Sequence, residues 1–207
     1  GYYLGMLLWT RLFGTGLTSS GLLLLSLLTN PLAALVAAIT WASYVFAYTP
    51  LKTRTSLATI VGAVPGALPP VIGWASARNS LDPGALVLFA ILFFWQIPHF
   101  LAIAWMYRED YARGGILMLP VLDPEGRITG RQAIANSLAL TLVSLLPTAA
   151  GMAGLVYFAG ALLLGLAITA VALRAALLRT PGSIRALFAA SILYLAALCG
   201  LLLLNRA

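Results

Sequence analysis

The chain has 207 residues, of which 62% are hydrophobic and 8% charged, with a mean hydropathy of +1.01. So large an apolar surplus exceeds what one water-soluble core absorbs and puts the chain in a bilayer. The net charge of +7 would suggest a nucleic-acid partner in a soluble protein. Here the charges fall in the connections between apolar stretches, so membrane topology accounts for them and no nucleic-acid partner is expected.

Seven apolar stretches run at roughly 12–28, 32–49, 57–76, 84–105, 132–149, 154–176 and 186–204. Each is close to the ~20 residues that a helix needs to cross ~30 Å of hydrocarbon. Helices satisfy every backbone group within the segment, which the bilayer demands. The Leu/Ala run at 161–173 lacks the period-two alternation of a β-barrel strand. The predicted fold class is therefore all-α, a polytopic transmembrane helical bundle without a soluble domain.

The chain opens on Gly1-Tyr2-Tyr3-Leu4, without Met and with neither a basic signal-peptide start nor a helix cap, and this reads as a cut end. The second stretch ends in Tyr48-Thr49-Pro50 and is followed by Lys52 and Arg54. The third carries Pro65, Pro69 and Pro70 with Gly62, Gly66 and Gly73, which predicts a kinked or broken helix. Such a break either shapes the bundle or opens a substrate cavity at membrane depth.

The fourth stretch holds the only histidine, His99, in Trp95-Gln96-Ile97-Pro98-His99-Phe100. An ionisable group inside a span is costly and points to function, against the alternative of a satisfied core histidine. Trp95 and Gln96 precede it by four and three residues, which predicts neighbouring positions on one helical face able to hold a flat ligand or an axial metal position.

The longest connection, 106–131, follows and contains Glu109, Asp110, Asp123 and Glu125; the fifth acidic residue, Asp82, lies on the other side. In Tyr107-Arg108-Glu109-Asp110-Tyr111-Ala112-Arg113 the carboxylates are hard oxygen ligands suited to Mg²⁺ together with substrate phosphates. Arg108 and Arg113 can fork onto phosphate oxygens, and Lys52 and Arg54 can neutralise a leaving diphosphate. The alternatives are a charged loop with internal ion pairs and, for Lys52 and Arg54, simple positive-inside topology. Carboxylates and cations at one surface above a kinked apolar bundle suit an amphiphile with an anionic head and a lipid tail. Cys199, alone in the last stretch, reads as a packing residue.

Loops alternate sides, so Arg11, Lys52, Arg54, Arg108, Arg113, Arg127, Arg131, Arg174, Arg179 and Arg185 share one face and only Arg78 and Arg206 the other. The positive-inside rule assigns the first set to the cytoplasm.

Four ordered stretches carry a family resemblance: Tyr48-Thr49-Pro50-Leu51-Lys52, the run from Gly62 to Trp74, the run from Trp95 to Trp105, and Tyr107-Arg108-Glu109-Asp110-Tyr111. In these the chain resembles the protoheme IX farnesyltransferases (haem O synthases), a branch of the intramembrane UbiA-type prenyltransferase superfamily. The likeness is strongest from Tyr48 to Arg131 and rests mainly on hydropathy over the last three spans. It implies a nine-span bundle whose site opens to the cytoplasm in a bacterial inner membrane. Residues 1–207 would then be one prenyltransferase domain without its two N-terminal spans and without the Asn-led, Asp-rich motif that follows them. Near Ala58 the resemblance leads one to expect an Asn that this chain lacks. It implies Mg²⁺ held at Glu109 and Asp110, farnesyl diphosphate as donor, and haem b as acceptor and substrate rather than cofactor. Arg108, Arg113, Lys52 and Arg54 would attend the diphosphate. His99, Trp95, Gln96, Tyr48, Tyr107 and Tyr111 would contact substrate, the aromatics facing the allylic cation. A haem A synthase or oxidase-assembly factor is the implied protein partner. The competing functions are a quinone or other aromatic-acceptor prenyltransferase, a membrane transporter, and an inactive fragment.

Overall fold

A computed structural model describes residues 2–205, with side chains from Trp9 onward. All regular structure among them is helical: α1 (Tyr2–Leu28), α2 (Pro31–Ala42), a π-helical segment (Ser43–Tyr48), α3 (Thr49–Leu51), α4 (Ala58–Ala67), α5 (Pro69–Arg78), α6 (Pro83–Met106), α7 (Arg108–Arg113), α8 (Leu119–Leu122), α9 (Arg127–Val143), α10 (Leu146–Ala149), α11 (Leu155–Leu178) and α12 (Pro181–Leu204). Seven helical runs among the described residues are long and apolar enough to cross a membrane, and they match the seven predicted stretches in order. The chain is a multi-pass, all-α membrane protein. Gly1 and Arg206 lie outside the described residues.

Two spans start earlier than hydropathy predicts, at Arg127 and Pro181. Both extra turns are polar and are held by caps. The Asp123 carboxylate accepts from the Thr129 N–H at 2.7 Å and hydroxyl at 2.9 Å below α9. Thr180 and Ser183 close a capping box on α12 with Pro181 in the first turn. On the opposite face, Asn30 caps α2 and also donates to the Ala75 carbonyl at 2.9 Å. Asp82, the acidic residue of that face, caps α6 through the Gly84 N–H.

The third span is broken as predicted. Pro69 and Pro70 have no N–H for the Pro65 and Gly66 carbonyls, so the helix is interrupted at Leu68 between α4 and α5. The second span departs from the expected regular helix. Pro50 withholds the donor of the Phe46 carbonyl, and the turns before it widen to the π-helix over Ser43–Tyr48, with the Thr49 hydroxyl returning to the Tyr44 carbonyl.

α6 is the shared wall. One side packs with α9 and α12, both of which pack on α11, around a core that includes Leu101, Leu140, Tyr157, Ile168 and Leu187. Its other side meets α4 and α5, which in turn meet α2 and the π segment. α1 packs chiefly on α2.

Candidate functional site

The proline break and the π segment face each other across a cavity of about 550 Å³ between the second, third and fourth spans. Its walls are Trp41, Tyr44, Tyr48, Pro65, Ile72 and Phe100, apolar surface with three aromatic rings from one widened helix. Gly62 permits this, because any side chain there would run into the Tyr48 ring. Gln96 supplies a buried polar group on the α6 wall. Its amide nitrogen donates to the Ala63 carbonyl at 2.7 Å, and its oxygen lies where a Gly66 side chain would stand.

The Lys52 end of this cavity is roofed by the 106–131 connection. Tyr111, Ile116 and Met118 line it, and the Leu117 N–H donates to the Lys52 carbonyl at 3.0 Å, tying the roof to the second span. Lys52 itself lines the mouth, whereas Arg54 is exposed and lines neither of the cavities described here.

α7 has two flanks. Tyr111 turns into the apolar cavity, while Tyr107, Arg108, Glu109, Asp110 and Arg113 line a separate polar cleft of about 440 Å³. Trp105, Met106, Arg179, Pro181, Ile184 and Arg185 form the rest of the cleft. Arg113 pairs with Asp110 across one helical turn, and Arg108 donates to the Pro124 carbonyl at 3.2 Å. Glu109 and Asp110 are exposed side by side, and among the described residues no group of three His, Cys, Asp or Glu converges. A divalent ion here would therefore take most of its ligands from water and a bound phosphate, which suits Mg²⁺.

The expectation that Trp95, Gln96 and His99 share one face is corrected. Gln96 faces α4, whereas Trp95 and His99 face α12, because adjacent residues of a helix point ~100° apart. The Trp95 indole donates to the Ser191 carbonyl at 2.6 Å, and the His99 ring stacks between Trp95 and Phe188 at centroid distances of 5.0 and 5.1 Å. His99 Nδ1 lies 2.8 Å from Ser191 Oγ, whose single proton goes to the Phe188 carbonyl at 2.6 Å. With the Ser191 proton directed to that carbonyl, Ser191 accepts from Nδ1–H; this assigns the Nδ1–H tautomer, with the lone pair on Nε2.

Apart from Arg54, the sequence-predicted residues thus fall into three groups around α6 and α7: Tyr48, Lys52, Gln96 and Tyr111 at the apolar cavity, Tyr107 to Asp110 with Arg113 at the polar cleft, and Trp95 with His99 against α12. Ala58 is buried at the start of α4 and brings no polar group to any of them. Sequence reading missed Trp41, at the end of α2, and Tyr44, in the π segment, since nothing in the sequence signalled that these rings line a cavity. It also missed Ser191, which is a distant partner on another span, and it read Arg179 and Arg185 as topology signals alone.

The family model for UbiA prenyltransferases matches residues 9–205. This chain belongs to the UbiA prenyltransferase family. Among its relatives, the protoheme IX farnesyltransferase of Solibacter usitatus is 53% identical over 194 residues, covering 94% of this chain and 66% of the relative. The protoheme IX farnesyltransferase of Koribacter versatilis is 44% identical over 88% of this chain and 61% of its own length. That of an Anaeromyxobacter species is 46% identical over 83% and 57%. The chain thus spans about two thirds or less of the length of these relatives. No solved structure matches it. The apolar cavity, with Lys52 in its lining, can hold an apolar chain that ends in an anionic group, and the separate cleft across α7 can hold a phosphoryl group through its guanidinium groups.

Proposed function

We propose that this chain, within its full-length protein, transfers a farnesyl group from farnesyl diphosphate to a vinyl group of haem b, giving haem O and diphosphate. The observation that carries the reading is α7, with one flank in an apolar cavity and the other carrying the exposed carboxylates and arginines. The names of relatives up to 53% identical support the choice of haem b and farnesyl diphosphate. Residues 1–207 are then a single domain to which two further spans and a first acidic motif are added, in accord with the share of relatives' length covered.

The apolar cavity receives the prenyl chain, and its volume lies within the roughly 300–1,000 Å³ usual for small-molecule sites. Lys52, Arg108 and Arg113 draw charge from the diphosphate as the allylic C–O bond breaks and the diphosphate leaves with the bonding pair. Glu109 and Asp110 would hold Mg²⁺, which neutralises the leaving diphosphate. The ring faces of Tyr44, Tyr48 and Tyr111 stabilise the allylic cation while the apolar walls exclude stray water. The vinyl π pair forms the new C–C bond, and water captures the resulting cation and loses a proton, leaving a hydroxyethylfarnesyl side chain. His99, with Nε2 free, contacts the haem from the α6–α12 side, Trp95 offering it a flat ring. The site faces the cytoplasm of a bacterial inner membrane, and the product passes to a haem A synthase or oxidase-assembly factor.

The test is turnover by the full-length protein in nanodiscs supplied with haem b and farnesyl diphosphate. Asp110→Ala should abolish haem O formation and weaken Mg²⁺-dependent diphosphate binding, with Glu109→Ala less severe, because metal and phosphate charges lose their compensation. Normal turnover in Asp110→Ala removes α7 from the site.

A further inference from the structure

The charges of α7 by themselves leave no positive surplus for an anion. Its two arginines are matched by two carboxylates, and Arg113 is already paired with Asp110. The positive surplus of the cleft comes from the opposite wall, where Arg179 at the end of α11 and Arg185 near the start of α12 line it. That wall also presents the first turn of a 24-residue helix, whose N-terminal end carries a partial positive charge. Pro181 and Ile184 of this turn line the cleft.

Arg179 has a further peculiarity. It ends α11 in the left-handed conformation, with φ of 52°, at a position where glycine is the unstrained choice. Its Nε donates to the Ala176 carbonyl at 3.0 Å, which anchors the guanidinium by one nitrogen and leaves both Nη groups for the cleft. A strained backbone that retains a side chain with two free donors points to use of that side chain.

We infer that Arg179 and Arg185 are diphosphate-binding residues, gripping phosphoryl oxygens from the end of α11 and the start of α12, opposite the α7 carboxylates that would hold the metal. The inference rests on the proposed prenyl-transfer function and adds to it a wall that the motif-bearing loop does not contain. The ligand chemistry is a phosphoryl oxyanion, which a phospholipid headgroup shares, so the experiment separates the two sources.

Full-length protein in phosphatidylcholine nanodiscs is titrated calorimetrically with inorganic diphosphate and Mg²⁺. Arg179→Gly and Arg185→Gln should each weaken diphosphate binding about tenfold or more, as expected for loss of a forked charge-assisted contact. Arg185→Lys should recover part of the loss. Arg179→Gly is the sharpest variant, because glycine relieves the left-handed strain and the thermal midpoint should stay level or rise. Weakened binding in a protein of undiminished stability supports the inference; a weakening short of tenfold in both variants overturns it. Loss of binding to phosphatidylglycerol nanodiscs with diphosphate affinity intact also overturns it and assigns the cleft to lipid headgroups. Asp110→Ala titrated alongside distinguishes the failures: if it too leaves diphosphate affinity unchanged, the prenyl-transfer reading of α7 falls first.

Discussion

At the scale of single residues, hydrogen-bond direction decides more than residue type. His99 was legible in the sequence as a costly polar group, but its state depends on Ser191, 92 positions away. Because Ser191 spends its proton on Phe188, it holds His99 in the Nδ1–H tautomer. Ser191→Ala should therefore release the ring and weaken haem binding about tenfold, Ser191→Thr should retain it, and farnesyl diphosphate affinity should not move in either. Haem difference spectra run beside a diphosphate titration check this, and equal haem affinity in all three proteins leaves His99 as a packing residue. Asp123 shows the converse, an acidic residue of the functional loop whose work is structural. Burial opposes its charge, yet the Thr129 N–H and hydroxyl and the Ile128 and Arg127 N–H groups outweigh burial and hold its carboxyl below the usual range. A depressed folded pKa means that this stabilisation is complete above the unfolded carboxylate value of ~3.9 and disappears as pH falls through the lower folded value. Asp123→Ala should cost about 1–2 kcal/mol at neutral pH, in the range of a lost helix cap, and the difference from wild type should vanish in acid. Amide hydrogen exchange at Thr129, compared at neutral and acid pH, reads it directly.

At the scale of elements, hydropathy located the seven spans because each must bury its backbone in the same ~30 Å of hydrocarbon. It could not locate the turns that extend α9 and α12 toward the arginine-rich face, since Arg127, Arg131 and Arg185 make them polar. The broken third span was legible from three prolines, whose missing N–H groups act locally. The π segment was not, because its widening depends on how Thr49 and Pro50 terminate the second span. Side-chain placement around α6 was legible only in part: a histidine, an amide and an indole within five residues can serve two different neighbours, and the choice rests on which helices flank α6. Two glycines separate fold from site. A methyl at Gly165 would lie 2.5 Å from Thr141 Cγ2 and 2.9 Å from its Cβ, on a buried and unyielding α9–α11 contact. Gly165→Ala should destabilise by about 1–3 kcal/mol, as overpacking does. At Gly66 the obstacle is the end of the flexible Gln96 side chain, which can swing away from Ala63. Gly66→Ala should leave the thermal midpoint near wild type and lower kcat/KM for prenyl transfer about tenfold, by displacing the polar group of the cavity. Thermal melts in detergent alongside steady-state kinetics distinguish the two, and the expectation fails if both variants lose stability equally.

At the scale of the whole molecule, the arrangement of charge and the arrangement of cavities agree. Lys52 in the cavity lining, the α7 arginines at the cleft, Arg179 after α11 and Arg185 near the start of α12 all lie toward one side of the bundle. Arg78 is the single described cation of the other side, held over the Trp74 ring at 4.9 Å. One set of residues thereby serves two demands. Positive charge flanking short loops favours a cytoplasmic position for those loops, and under the proposed function the same charge would draw a phosphorylated substrate to the openings. An orientation with the openings outside would contradict both demands at once, since ten cations would have to cross the membrane. Single cysteines placed by Arg113→Cys and Arg78→Cys in a Cys199→Ser background should therefore behave oppositely in intact cells. A membrane-impermeant thiol reagent should modify the cysteine at position 78 from outside and reach position 113 only after permeabilisation. Modification at 113 in sealed cells would invert the bundle and, with it, place both cavities beyond the reach of a cytoplasmic prenyl diphosphate.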